Sequence, residues 1–286
     1  MDFFHVGPQK AATTWVYRCL REHPDVACPP NDTIHFYDMY YHRGARWYAE
    51  HFKDAGPRQK KFDPTYTYLR SPWASRRIAA DNPEAKIIMC LRHPIDRAFS
   101  HYWHEKKKGK YNFSFEEVLK NYDLFASWIE PGFYAEHIER FLRHFPRDQI
   151  RCLLFDDLRE DPEGFLHEIL AFARVDPNFE PSFLHRKVNE AGGRRTLTNR
   201  VWRGVRRRLQ WTGQGNVAQT LQSTPVLGRL LQDRVEYENG IDPGVRQELE
   251  AICAPEIERL EDLLDIDLSI WKKSNSHAVI ASQEAR

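Results

Sequence analysis

The sequence predicts an α/β fold of three layers, with a central parallel sheet covered by helices on both faces. Three observations predict it. Apolar runs at residues 3–6, 86–92 and 149–155 are continuous rather than alternating, as in strands buried on both sides. Segments with apolar residues at helical spacing follow them. The resulting strand–helix order repeats along the chain, as crossovers between parallel strands require.

The elements follow in order. FFHV is the first strand. After GPQKAATT, the spacing of Trp15, Val16, Cys19 and Leu20 marks a helix to about Glu22. HPDVACPP reads as a loop. KIIMCLR is the second strand, and Pro94 suits the first turn of the next helix. In that helix Ile95, Ala98, Phe99, Tyr102 and Trp103 form one apolar face. Tyr134, Ile138, Phe141, Leu142 and Phe145 mark a further helix, QIRCLLF the third strand, and Phe165, Ile169, Leu170 and Ala173 the helix after it. A last helix over 245–264 precedes IDLSIW. One domain over 1–272 is expected at this length. Within it, 191–240 is rich in Arg, Gln and Gly and reads as an irregular or helical cap. Residues 273–286 read as a disordered tail.

With 41% hydrophobic and 13% aromatic residues the chain can build a core, which excludes a disordered class. The formal net charge of +1 argues against nucleic acid or a membrane surface as partner, so any anion site must be local. Cys19, Cys28, Cys90, Cys152 and Cys253 are odd in number and dispersed. That predicts a reducing compartment without a disulfide framework or zinc site. The first residues lack a basic segment followed by an apolar run. No segment approaches the ~20 apolar residues that span a bilayer. The expectation is a cytoplasmic chain with no leader and no stable membrane insertion.

The chemistry begins at Lys10, a lysine in a small-residue turn between a strand and a helix. In an open α/β sheet such turns aim backbone N–H groups and a helix N-terminus at an anion. A Walker A loop would read G-x-x-x-x-G-K-[ST]. Here Ala12 replaces its second glycine, Thr13 replaces its lysine, and the lysine stands three residues early. The second strand ends in Arg92 where a nucleotide triphosphatase might offer a magnesium-binding Asp. No metal ligand set is predicted. The pattern suits a nucleotide whose transferred group carries little charge, such as a sulfuryl group, and a surface lysine in an ordinary turn is the alternative. In LRHPIDRAFSHYWH, Arg92 ends the strand and Ser100 lies eight residues on, so a guanidinium and a hydroxyl can converge on one phosphate.

With both stretches in view the chain resembles sulfotransferases that use 3′-phosphoadenosine 5′-phosphosulfate (PAPS). It is closer to their heparan-sulfate-type and bacterial branch than to the phenol and steroid enzymes. GPQKAATT resembles the family's 5′-phosphosulfate loop. That implies contact of Lys10 with the bridging oxygen and of Ala11, Ala12, Thr13 and Thr14 with the 5′-phosphate. LRHPIDRAFSHY resembles its 3′-phosphate motif, implying that role for Arg92 and Ser100. GFYAEHIERFLRHFPRDQIRCLLFDDLREDP and YENG…LEDLLDIDLSIW resemble its later core. The resemblance implies a P-loop-like sulfotransferase fold, PAPS as donor, adenosine 3′,5′-bisphosphate (PAP) as product and no metal. A kinase or nucleotide triphosphatase, or a nucleotide-binding protein without activity, are the rival readings.

The acceptor side departs from the family. Its Lys-Glu-x-His-Phe-Phe-Asp stretch carries the general base on Glu; the counterpart here is DTIHFYD, with Thr33 at that position. Threonine cannot accept a proton near neutral pH. His35 titrates in the right range and, in an extended stretch, points to the same side as Thr33. Asp32 is the second candidate, and a residue elsewhere the third. Asp38 orients His35 or a substrate group. The family's Lys-Ser/Thr-Pro-x-Tyr stretch is KKFDPTY here, with Phe62 and Asp63 at its first two positions. Thr33, Asp38, Lys61 and Tyr66 are candidate acceptor contacts. Trp47, Tyr48, Tyr66, Tyr68 and Trp73 either stack the acceptor or form core. These departures point to a small-molecule, lipid or natural-product acceptor rather than a sulfated polysaccharide. Gly193, Arg194 and Arg195 match loosely the family's loop over the 3′-phosphate. The helix predicted after them has a basic face containing Arg203, Arg206 and Arg207, read as a solvated face or a contact with nucleic acid or a membrane surface.

Overall fold

Among the described residues, five parallel strands form one sheet in the order β2-β3-β1-β4-β5. They are β1 (Phe3–Gly7), β2 (Val26–Ala27), β3 (Lys60–Asp63), β4 (Lys86–Leu91) and β5 (Ile150–Leu154). The computed structural model describes residues 1–107, 113–186 and 240–272. The predicted cap and tail, including Gly193, Arg194, Arg195 and the basic helix, lie outside the described residues.

Side chains alternate across each strand, and the sheet therefore has two packed faces. Phe4, Val6, Ile87, Met89 and Leu91 face one layer. That layer includes α3 (Ala74–Asp81), α4 (Pro94–Lys107), α6 (Tyr134–Leu142) and α9 (Pro243–Leu264). Phe3, Ile88, Cys90 and Leu153 face the other, built from α1 (Thr13–Glu22) and α8 (Pro162–Ala173). The three-layer α/β expectation holds. The other α-helices among the described residues are α2 (Gly44–Ala49), α5 (Tyr122–Trp128), α7 (Phe155–Glu160) and α10 (Ser269–Lys272). In α10, Trp271 accepts on its carbonyl from His93 and donates through its indole to Asp156, which seats the end of the described chain on the turn after β4. Among the described residues no helix is long and apolar enough to cross a membrane, and all five cysteines are free thiols.

The sheet corrects the reading of two segments. HPDVACPP contains β2, and KKFD is β3, paired with β1 through Phe3↔Phe62 and Phe4↔Asp63. β3 is short, begins with two lysines and stops at Pro64, so no apolar run marks it. The third predicted strand is two residues shorter than expected, because Gln149 ends a 3-10 turn and Phe155 already begins α7.

His5 lies in the middle of β1, fully buried, and neither ring nitrogen has a hydrogen-bond partner. Burial pushes its pKa down to about 3, so the ring stays neutral in the fold. Below pH ~6.5 the unfolded chain binds a proton there that the folded chain does not, and stability falls as pH falls. His5→Val removes that dependence. Urea unfolding at about pH 7.5 and about pH 5 is expected to show a pH-induced loss roughly 2 kcal/mol smaller in the variant. An identical loss in both proteins contradicts the assignment.

Candidate active site

The turn after β1 reverses tightly. Gly7 has φ 121°, and a Cβ there would lie 2.2 Å from the Tyr66 carbonyl oxygen, so only glycine fits. Lys10 and Ala12 follow in left-handed conformations, at φ 71° and 64°. Such angles are uncommon for residues with a Cβ and cluster at binding sites. Ala11 between them is fully buried, and the Thr13 hydroxyl lies 3.4 Å from the Pro8 carbonyl. α1 then begins at Thr13 with no side-chain cap and no acid in its first turn. Its leading N–H groups and the positive end of its dipole therefore face the turn without a carboxylate from the helix's own first turn.

The turn after β4 meets this loop. The Arg92 guanidinium donates to the Lys10 carbonyl at 3.1 Å and stacks 4.6 Å from the Phe155 ring. Its own carbonyl accepts from the Tyr134 hydroxyl at 2.8 Å. Behind it Arg97 of α4 is fully buried. It donates to the Trp128 carbonyl, while its Nε has no partner. Burial first, then the charges of Arg70 and Arg92, push its pKa down to about 10. Ser100 is half-buried one turn on. Next to it His101 packs on the Trp128 ring at 4.4 Å with an unpartnered Nδ1. Burial, then Arg97 and Lys10, hold His101 down to about 3. Two βα turns thus join in one positively charged region where cations disfavour one another. Such a concentration of positive charge attracts anions.

The acceptor-side residues gather on a neighbouring segment. His35 has φ 58°. It opens a π-helical turn over Phe36–Tyr40. The stretch is not extended, so the alternation that placed His35 beside Thr33 does not apply. The Thr67 hydroxyl donates to Asp38 Oδ2 at 2.5 Å, and His35 Nδ1 lies 3.3 Å from that oxygen and 3.1 Å from Thr67 Oγ1. Because the single Thr67 proton goes to Asp38, Nδ1 carries the imidazole hydrogen, and the lone pair of neutral His35 sits on Nε2. The Asp38 hydrogen bond raises the His35 pKa; burial opposes it, and the charges of Asp38, Asp63 and Asp32 add to the rise. Burial works against Asp38 as well, but the bonds from His35 and Thr67 outweigh it and hold its carboxyl below the usual range.

Lys10, Ala11, Ala12, Thr13, Thr14, Arg92 and Ser100 therefore come together around two turns. His35, Asp38 and Asp32 come together on the adjoining loop, with Thr33 half-buried beside them. Tyr66 connects the two groups: its carbonyl presses on Gly7, its hydroxyl lies 3.5 Å from Gln9 Nε2, and the next residue is Thr67. Lys61 is elsewhere. It is exposed at the start of β3, beside Asp2, at the opposite end of the sheet. Phe62 and Asp63 do not line a cleft either. Phe62 stacks on Phe3 within the core, and Asp63 is fully buried beneath the His35 loop. Of the aromatics, Tyr48 and Tyr68 are core, whereas Trp73 is 52% exposed. Sequence reasoning missed Arg97, His101 and Thr67. Arg97 falls off the apolar face of α4, and only the packing of other helices around α4 reveals that it is buried.

Comparison with known proteins follows the same lines. The model of the sulfotransferase domain family matches residues 1–189. The bifunctional heparan sulfate N-deacetylase/N-sulfotransferase 1 of Xenopus laevis is 34% identical over 189 residues, covering 59% of this chain and 22% of the relative. The human N-deacetylase/N-sulfotransferase 3 is 34% identical over 199 residues, covering 63% and 23%. The chain thus spans less than a quarter of the length of these curated relatives. A sulfotransferase from Alicyclobacillus acidocaldarius superposes with a TM-score of 0.70 at 25% identity, over 95% of this chain and 98% of that one. The sulfotransferase domain from the curacin biosynthetic pathway shares the fold, with a TM-score of 0.51 at 16% identity over 93% and 98%.

Proposed function

The chain belongs to the sulfotransferase domain family, and from that premise we propose that it moves a sulfuryl group from PAPS to a hydroxyl or amine of a small-molecule, lipid or natural-product acceptor. One observation carries the donor assignment: the Arg92 guanidinium, bonded to the carbonyl of Lys10, joins two cationic βα turns into one region. A nucleotide with phosphate on both its 3′ and 5′ positions has two charged ends, and each turn takes one. The leading N–H groups of α1 with Thr13 and Thr14 hold the 5′ side, and Arg92 with Ser100 holds the 3′-phosphate. PAPS supplies the sulfuryl group. Lys10 offsets the negative charge that develops on the bridging oxygen as its bond to sulfur breaks. His35 takes the acceptor's proton on Nε2 as the new bond to sulfur forms.

The electrostatics around His35 support this acceptor class. Asp38, Asp63 and Asp32 all raise the His35 pKa, so the field at the proton acceptor is negative. Such a field disfavours a polyanionic chain and suits a neutral or cationic acceptor.

Radiolabelled PAPS incubated with polar and lipid cell extracts tests the reading. A labelled product whose formation does not require added ATP supports it; no labelled product from either extract overturns it. Arg92→Ala is expected to weaken binding of adenosine 3′,5′-bisphosphate by about 10–100-fold, the worth of charge-assisted hydrogen bonds. Binding of adenosine 5′-monophosphate should weaken far less. Equal losses for both nucleotides in calorimetry contradict the 3′-phosphate role.

A further inference from the structure

Asp63 is fully buried, yet it accepts four hydrogen bonds. Oδ1 receives the Thr65 N–H at 3.0 Å and its hydroxyl at 2.5 Å. Oδ2 receives the hydroxyls of Tyr48 at 2.7 Å and Tyr68 at 3.0 Å. Two of these hydroxyls face a second set of partners. Thr65 Oγ1 accepts the N–H groups of Ile34 at 2.9 Å and His35 at 3.4 Å. The Tyr68 hydroxyl accepts those of Phe36 at 3.0 Å and Tyr37 at 3.3 Å. Four successive backbone N–H groups therefore end on two hydroxyls, and both hydroxyls spend their single proton on one carboxylate. Each hydroxyl has one donor and two lone pairs, so the valences are filled with none to spare. The segment so fixed is the one in which His35 adopts φ 58°, a conformation that persists only where its surroundings over-determine it.

We propose that Asp63 is the positioning residue for His35: acting through Thr65 and Tyr68, its carboxylate holds the backbone from Ile34 to Tyr37 in the one arrangement that presents His35 to the Asp38–Thr67 pair. This deepens the reading of His35 as proton acceptor and rests on it for its effect on rate. A carboxylate is required because it only accepts. An asparagine amide offers two donors in place of one acceptor and turns at least one hydroxyl around. The position is also the one at which the chain departs from the Ser/Thr of the resembling motif, so the device belongs to this chain's own acceptor side.

Asp63 carries charge as well as geometry. The largest charges acting on His35 are those of Asp38 on its own turn, Asp63 from β3 and Asp32 from the preceding loop. Tyr48 and Tyr68 face Asp63 itself, and burial beside that carboxylate keeps both phenols protonated well past neutrality. Burial raises the Asp63 pKa, and its four hydrogen bonds oppose that rise.

The test is Asp63→Asn in the full chain, read in three ways. The His35 imidazole is titrated by NMR, PAPS consumption is followed against pH with water as the acceptor probe, and adenosine 3′,5′-bisphosphate affinity is measured by calorimetry. The expected result is a His35 titration moved to lower pH, consumption slowed by about 10–100-fold through lost orientation, and nucleotide affinity within about threefold of the parent, since no phosphate-binding turn is touched. An unchanged His35 titration with unchanged consumption overturns the proposal. A shifted titration with unchanged consumption reports only the lost charge of Asp63 and overturns the positioning role, whereas parental consumption in His35→Ala overturns the reading of His35 as proton acceptor. If the asparagine variant does not fold, Tyr68→Phe keeps the charge and deletes only the hydroxyl over Phe36 and Tyr37. Slower consumption at parental nucleotide affinity then supports the proposal, and parental consumption overturns it.

Discussion

Lys10→Ala is expected to lower sulfuryl transfer by about 10³-fold or more, the effect of removing a preorganised positive group from a developing negative charge. Affinity for adenosine 3′,5′-bisphosphate should fall by less than about tenfold, because the remaining contacts are those of the turns. The variant is informative because the Lys10 backbone already serves a separate purpose: its carbonyl accepts the Arg92 guanidinium. Alanine keeps that carbonyl and removes the side chain beyond Cβ, with its ammonium. The left-handed φ of 71° at this position disfavours alanine and lysine alike, so the substitution leaves backbone strain much as it was. Single-turnover kinetics beside calorimetry separate the two quantities. A near-parental rate removes Lys10 from the chemistry, and an equal loss of rate and nucleotide affinity makes it a binding residue only.

His35→Ala should cost about 10²–10⁴-fold in transfer, the usual contribution of a positioned general base. The pH dependence is the more specific prediction. The base acts as neutral imidazole, and the Asp38 hydrogen bond with its neighbouring charges raises the His35 pKa. The rate should therefore climb with pH through a midpoint above the ordinary histidine value of about 6.5. Asp38→Asn should move that limb to lower pH, since it removes the partner that stabilises the imidazolium. A larger loss in Asp32→Ala than in His35→Ala transfers the assignment to Asp32. A flat profile over the same range contradicts any histidine base.

What the sequence disclosed depends on how local the contacts are. Both cationic turns were legible as strand–turn–helix units because each is contiguous: a buried run, a turn with Lys10 or Arg92, and a helix bearing Thr13 and Thr14 or Ser100. The parallel sheet followed from the same runs. β3 was not legible, since only Phe62 of its four residues is an apolar core side chain and Pro64 ends it. Lys61 was then misplaced as an acceptor contact, because a motif position carries no information on which end of the sheet a strand residue marks. The network under His35 was hidden for another reason. It joins residues about thirty positions apart, Ile34 and His35 to Thr65, Phe36 and Tyr37 to Tyr68. Nothing in the local pattern of DTIHFYD signals a left-handed residue at His35. Arg97 illustrates the same limit: a charge off the apolar face of a helix reads as solvent-exposed until other helices are seen to cover it.

On the proposed reading, the two cationic turns joined by the Arg92–Lys10 bond take the two ends of one adenosine phosphorylated at both ends. Calorimetry of adenosine 3′,5′-bisphosphate against adenosine 5′-monophosphate measures this directly. The 3′-phosphate is expected to tighten binding by at least about 100-fold, the worth of a bidentate guanidinium contact in a partly buried site. Equal affinities for the two nucleotides contradict the account.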